Sequence, residues 1–273
     1  MYTCEINTNL GDDSTLILAD GVRVVVCTLT LAWQVFPETP VAVAANRDEA
    51  DDRPSVPPAV IDRDPRVVAP RDADAGGTWI GYNEHGLLVA ITNRWNDADL
   101  AGERSRGLLV RDALRRPTAE AAGRFVEAEL REREYEGFNL VVADAAAALY
   151  YEWSGSLDFR QFDPGVHVVV NVGADGQFSI PQARPDAGER QAESAAWLRE
   201  ALAVEPGETA TAWMGRGADA LADHEYGVCV HGDGFGTRSS SLVALGNEGA
   251  TYRFADGPPC ETDYEDVTLG LGG

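Results

Sequence analysis

Val24-Val25-Val26-Cys27-Thr28-Leu29-Thr30-Leu31-Ala32-Trp33, with Asn46-Arg47-Asp48-Glu49 beyond it, is the stretch on which the fold turns. The apolar and β-branched pattern runs to Val35, and Val41 to Ala45 repeats it after a turn at Pro37 to Pro40. Two such runs around a short turn predict a β-hairpin. Arg47 and Asp48 then close the strand that pairs with the Cys27 strand.

If translation starts at Val26, or if the chain cuts itself there, Cys27 becomes the first residue of the mature protein. It then carries a thiol and an α-amine, a nucleophile and a base on one residue. The amine's ordinary pKa of about 7.7–8.0 lets it accept the thiol proton near neutrality. With residues 1–26 attached, the same cysteine is a small apolar residue in a strand. Residues 1–26 are expected to be a leader, a propeptide or a start-site artefact, and 27–273 a single domain. Residues 1–25 lack the basic start and continuous apolar core of a signal peptide.

The formal net charge is −23, from 45 acidic and 22 basic residues, and every basic residue is Arg. An excess of Asp and Glu spread along the chain, with no Lys, suits a surface adapted to high salt. At 1 M the Debye length falls to about 3 Å, so self-repulsion is tolerable there and harmful in dilute buffer. The charge argues against a nucleic-acid partner, because no Arg stripe is available to displace counterions. Cys4, Cys27, Cys229 and Cys260 form no CxxC pair and suggest neither a zinc site nor a disulfide framework. No apolar stretch reaches the ~18 residues of a membrane span, and a cytoplasmic protein is expected.

Further along, residues 50–75 hold Pro54, Pro57, Pro58, Pro65 and Pro70 and are expected to wander without regular structure. Thr78 to Tyr82 and Leu87 to Thr92 flank Asn83-Glu84-His85-Gly86 as a second hairpin. Helices are expected at Arg106–Arg115, Thr118–Arg133, Ala187–Ala203 and Ala210–Asp223, with Thr118 as an N-cap. Phe138–Ala143, Ala148–Trp153, Gly165–Asn171, Tyr226–Val230, Arg238–Leu245 and Thr251–Ala255 have the composition of strands. Hairpins with helices inserted in blocks predict an α+β fold with mainly antiparallel sheets.

Around a cleft beside Cys27, the candidates are Arg47, Asp48, Asn93, Asn171 and Arg238, each at a strand end or after a Gly-rich turn. Such residues can settle protonation and hold a developing oxyanion. Asn46 with Glu49 is the alternative pair facing the site. His224, Cys229 and His231 invite a metal reading, but their spacing suits no common site and none is expected. His85 and His167 are expected in turns or at the surface. Gly232-Asp233-Gly234-Phe235-Gly236 is expected to be a tight turn, since it lacks the Gly-Lys-Ser/Thr of a phosphate loop. Trp79 and Trp95 flank the expected cleft. No cofactor motif is present.

Ala45-Asn46-Arg47-Asp48-Glu49, Gly76-Gly77-Thr78-Trp79-Ile80-Gly81, Thr92-Asn93-Arg94, Ser105-Arg106-Gly107, Gly137-Phe138-Asn139-Leu140 and Gly234-Phe235-Gly236-Thr237-Arg238 occur in order after Cys27-Thr28-Leu29. Together they resemble the NRDE family, that of transport and Golgi organisation 2. More remotely, Gly81 to Leu87 and onward to Asn93 is similar to a hairpin of N-terminal-nucleophile hydrolases of the cholylglycine hydrolase and penicillin V acylase type. The resemblance implies a four-layer αββα sandwich and amide or thioester hydrolysis of an apolar acyl group. It makes Asn93 and Asn171 oxyanion donors, with Arg47, Asp48 and Arg238 orienting the amine and thiol. The order departs in two places: Arg47 and Asp48 are adjacent, and Ser239-Ser240-Ser241 follow Arg238 where those enzymes place serines before the Arg. The alternative on the same scaffold is a non-catalytic carrier of a lipid, an acyl-CoA or haem.

Overall fold

A computed structural model describes residues 27–268; the expected leader over residues 1–26 lies outside the described residues. β1 (Thr28–Phe36) and β2 (Thr39–Ala50) form the predicted hairpin, with Thr28 opposite Asn46 and Trp33 opposite Val41. β3 (Ser55–Arg63), β4 (Arg66–Asp72), β5 (Ile80–Asn83) and β6 (Leu88–Asn93) follow, then helices α1 (Arg106–Ala113) and α2 (Ala119–Glu132). β7 (Phe138–Ala143), β8 (Ala148–Trp153) and β9 (Leu157–Gln161) complete one antiparallel sheet, in the order β3-β4-β5-β6-β7-β8-β9.

The chain then returns to the first sheet with β10 (Gly165–Val170), β11 (Gly173–Ala174) and β12 (Gln177–Phe178). Helices α3 (Pro185–Ala201) and α4 (Ala210–Ala222) precede β13 (His231–Gly232), β14 (Phe235–Gly246), β15 (Gly249–Ala255) and β16 (Glu265–Asp266). That sheet runs β12-β11-β10-β1-β2-β14-β15-β16, with β13 paired to β14 and every pairing antiparallel. Among the described residues, no helix is long and apolar enough to cross a membrane.

Three apolar layers set the stacking. Ala42, Ala44, Val168, Val170, Leu198 and Trp213 join the first sheet to α3 and α4. Leu29, Leu31, Val41, Val43 and Val243 meet Ile80, Leu88, Val141 and Tyr150 between the sheets. Val89, Leu140 and Val142 pack on Leu109, Val110 and Val126 of the other helix pair. The result is the αββα sandwich. It explains why β1 is apolar almost without interruption: successive side chains point to opposite faces, and both faces of this sheet are covered. Each fully buried Leu or Val stabilises the fold by about 1.5–3 kcal/mol.

The structure corrects several expectations. Residues 55–72 form a hairpin despite their prolines, because β3 is an edge strand and Pro57 and Pro58 fall where its register shifts between Val56 and Ala59. His167 is a buried strand residue, not a surface one: its Nδ1 meets Asp175 Oδ2 at 2.6 Å and its ring stacks on Phe162. Residues 226–230 form no strand, whereas β9 does form. Thr118 caps α2 as expected, accepting from the Ala121 N–H at 3.2 Å. Gly234, at φ +74°, turns the β13–β14 hairpin where the tight turn was expected.

Candidate active site

Cys27 stands immediately before β1, in line with Leu29 and Leu31 and so on the face between the sheets. Its backbone N–H donates to Asn171 Oδ1 at 2.9 Å, and its Sγ lies 3.8 Å from the carbonyl oxygen of Asp48. Burial, reinforced by the charge of Asp48, pushes the thiol up to about 12. The resting group is therefore a thiol, and a nearby base must remove its proton before it can attack.

Asn171 directly follows β10, whose pairing with β1 carries it to Cys27. Its Nδ2 donates to the Asn93 carbonyl at 2.7 Å, and its Oδ1 also accepts from Gln191 Nε2 at 2.9 Å. One amide thus ties Cys27 to the end of β6 in the other sheet and to α3. Gln191 escaped the sequence reading; its one signal was an amide among the apolar neighbours of a helix face, and the structure buries it.

β2 sorts the charged tetrad by alternation. Asn46 turns to the outer layer, where Nδ2 donates to Leu221 and Val228 carbonyls at 2.9 and 2.8 Å. Arg47 turns inward, 4.3 Å over the Trp79 ring and 3.6 Å from Glu49. Asp48 is only 1% exposed; Thr237 Oγ1 donates to its Oδ1 at 2.6 Å, while Oδ2 has no hydrogen-bond partner among the described residues. Burial raises Asp48 well above the usual carboxylate range, the Thr237 bond and Arg47 opposing it. Burial likewise lowers Arg47, against the charge of Glu49.

Thus Cys27, Arg47, Asn93 and Asn171 are brought together, Asp48 meets the Cys27 thiol through its backbone carbonyl while its carboxylate turns to Thr237, Asn46 is committed to the outer layer, and Glu49 accompanies Arg47. Arg238 is not brought in. It lies in the register shift between Thr237, opposite Asp48, and Ser239, opposite Arg47. Its guanidinium, 40% exposed, reaches Asp51 at 3.4 Å instead. Arg238 is the extra residue of a β-bulge, and along β14 its even-numbered neighbours Leu242 and Ala244 face the helix layer, so neither the bulge nor the alternation aims it at the space between the sheets.

Directly over Cys27 the space is about 20 Å³, walled by Leu29, Trp79, Ile80, Ala90 and Ile91. A larger cleft of about 440 Å³ opens at Asn93, with Trp95, Arg106 and Arg184 in its wall. Arg106 donates to the Gly137 carbonyl at 2.8 Å and pairs with Glu136 at 3.0 Å; burial lowers its pKa, which the charges of Glu136 and Cys27 oppose. Gly77 and Gly107 let α1 approach the Trp79 segment, since a Cβ on Gly77 would meet Gly107 C at 2.3 Å.

Two solved structures share this architecture. A penicillin V acylase from Agrobacterium tumefaciens is 16% identical, with a TM-score of 0.50 over 84% of this chain and 83% of its own. The Caenorhabditis elegans ortholog of N-acylethanolamine-hydrolyzing acid amidase is 13% identical, with a TM-score of 0.52 over 79% of this chain and 92% of its own. The likeness establishes an N-terminal-nucleophile-hydrolase-like fold. Among curated proteins, the transport and Golgi organization protein 2 homolog of Homo sapiens is 30% identical over 138 residues, 48% of this chain and 50% of that protein. The Mus musculus homolog is 28% identical over the same length. The chain thus spans about half the length of the curated relatives it matches. The family described as transport and Golgi organisation 2 matches residues 26–256, nearly the whole sandwich, and the chain belongs to that family.

Proposed function

We propose that the protein is a cysteine hydrolase that cleaves the amide or thioester of an apolar acyl group, with Cys27 as nucleophile and its own α-amine as base. The observation that carries this reading is the Cys27 environment: its nitrogen is held by Asn171, its thiol lies 3.8 Å from the Asp48 backbone carbonyl, and Asp48 Oδ2 has no hydrogen-bond partner among the described residues. A free amine at Cys27 brings hydrogens beyond the one Asn171 accepts, and the buried Asp48 carboxylate, whose charge acts on the Cys27 thiol, is the acceptor this reading assigns to them. Either initiation at Val26 or self-cleavage before Cys27 would free that amine.

In this reading the amine takes the thiol proton and Sγ bonds to the carbonyl carbon, pushing the C=O electron pair onto oxygen. The second Nδ2 hydrogen of Asn171 and the side chain of Asn93 are the donors for that oxyanion. Collapse breaks the C–N or C–S bond, the ammonium returns its proton to the leaving group, and water then splits the Cys27 thioester. Arg47 and Asp48 orient the thiol and amine. Arg106 and Arg184, at the cleft beyond Asn93, suit a leaving group that carries a carboxylate or phosphate.

The test uses chains beginning at Met1 and at Cys27, screened against fatty-acyl amides and thioesters. The expected result is turnover by the Cys27 chain, an acyl adduct on the Cys27 peptide, and loss of several orders of magnitude in Cys27→Ala. Full turnover in Cys27→Ala would refute it. One observation favours the carrier reading: the space over Cys27 is only about 20 Å³, with Trp79 in its wall, and the thiol beneath it is pushed up to about 12. Tight binding of a lipid, an acyl-CoA or haem, unchanged in Cys27→Ala and without turnover, would favour it.

A further inference from the structure

We propose that His224, Cys229, His231 and Cys260 form a tetrahedral zinc site that pins the segment after β15 to the strand ends behind Asp48. Their candidate ligand atoms all lie within 4.8 Å of one another. Cys229 Sγ is 3.5 Å from Cys260 Sγ and 3.8 Å from His231 Nε2, while His231 Nε2 is 3.0 Å from Cys260 Sγ. The His224 and His231 rings meet edge-on, with centroids 5.2 Å apart.

The Cys229 separations lie within about 0.3 Å of the edges of a coordination tetrahedron, while His231 Nε2 and Cys260 Sγ, at 3.0 Å, would open by about 0.6 Å around an ion. With Zn–S of about 2.3 Å and Zn–N of about 2.0–2.1 Å, tetrahedral angles put two sulfurs about 3.8 Å apart and sulfur and nitrogen about 3.6 Å apart. Two thiolates and two imidazoles in that arrangement favour Zn²⁺ over metals that prefer oxygen ligands or planar geometry. A disulfide between Cys229 and Cys260 would account for neither imidazole. Binding is a ligand exchange without redox change: each thiol gives its proton to solvent, and the two thiolates neutralise the dication.

The spacing hid this site because Cys260 arrives from another part of the fold. His224 lies just beyond α4, Cys229 and His231 lead into and begin β13, and Cys260 follows β15. The expectation of no metal site came from local spacing; the fourth ligand is a tertiary contact. The site also abuts the cleft's rear wall. Val228 O, beside Cys229, accepts from Asn46, and Val230 N–H donates at 2.9 Å to Thr237 Oγ1, which in turn donates to Asp48. Zinc here would hold both backbone neighbours of Cys229 in place and so act as a positioning element.

The experiment takes the full chain, purified under reducing conditions, and measures bound metal by mass spectrometry after equilibration with Zn²⁺. About one zinc per chain is expected, retained in Cys27→Ala and reduced at least tenfold in Cys260→Ser and in His231→Ala. Cobalt substitution of the unmutated chain should give the visible bands of tetrahedral Co²⁺ and a thiolate charge-transfer band, a readout that needs no variant to fold. Folded chain that takes up no zinc, zinc retained fully in both variants, or a Cys229–Cys260 disulfide that persists in the reduced preparation would overturn the proposal.

Discussion

Replacing Asp48 by Asn should change stability in opposite directions in two versions of the chain. With residues 1–26 attached, the Cys27 nitrogen is an amide bearing one hydrogen, which Asn171 accepts at 2.9 Å. The Asp48 carboxylate then sits buried with Thr237 on one oxygen and nothing on the other among the described residues. Because burial raises its folded pKa above the 3.8 of an ordinary Asp, the folded state holds this proton more tightly than the unfolded state. Stability is therefore lost as pH rises from about 3.8 through the folded value, and Asn removes that loss. An unsatisfied buried charge costs about 1–3 kcal/mol or more, so Asp48→Asn should raise Tm by ~2–10 °C at pH 8. If, as proposed, the α-ammonium of a chain beginning at Cys27 pairs with Asp48 Oδ2, Asn should lower Tm by a similar amount, since removing one partner of a buried pair strands the other. Thermal unfolding of both versions in molar KCl, at pH 8 and at pH 3, measures all of this. A Tm gain of equal size at both pH values in the longer chain would show that charge is not its cause. The same sign in both chains would remove the ammonium–Asp48 contact from the mechanism.

Gly77→Ala should destabilise the fold by ~1–3 kcal/mol, read by denaturant unfolding, because its Cβ would collide with the Gly107 backbone at 2.3 Å and drive α1 from the Trp79 segment. Asp175→Asn should destabilise at neutral pH: burial alone would raise this carboxyl, but the His167 and Val168 hydrogen bonds lower it on balance. That stability is present above 3.8 and fades as pH falls through the lowered value, so the mutant's deficit in Tm should shrink in acid. Arg106→Ala should raise KM for anionic substrates more than for neutral ones, a split that steady-state kinetics resolves. Tm should rise with KCl for a chain of net charge −23, and a fall across the molar range would refute the reading of its surface.

The apolar and β-branched run through β1, its repeat before Asn46 and the helix-forming blocks with Thr118 as a cap were enough to define hairpins, helices and an α+β class, because alternation and capping are local properties. The ordered motifs marked Cys27, Arg47, Asp48, Asn93 and Asn171 as candidates. Their division of labour belongs to the tertiary structure. Pleating sends Arg47 inward and Asn46 outward, a bulge carries Arg238 to Asp51, and α3 packs Gln191 onto Asn171. Pro57 and Pro58 announced a loop, yet the edge strand β3 tolerates them because its outer hydrogen bonds need no partner. Cys260 shows the same limit most plainly: linear spacing records how far apart residues are along the chain, and only the packing of β15 beside β14 decides that it ends 3.0 Å from His231.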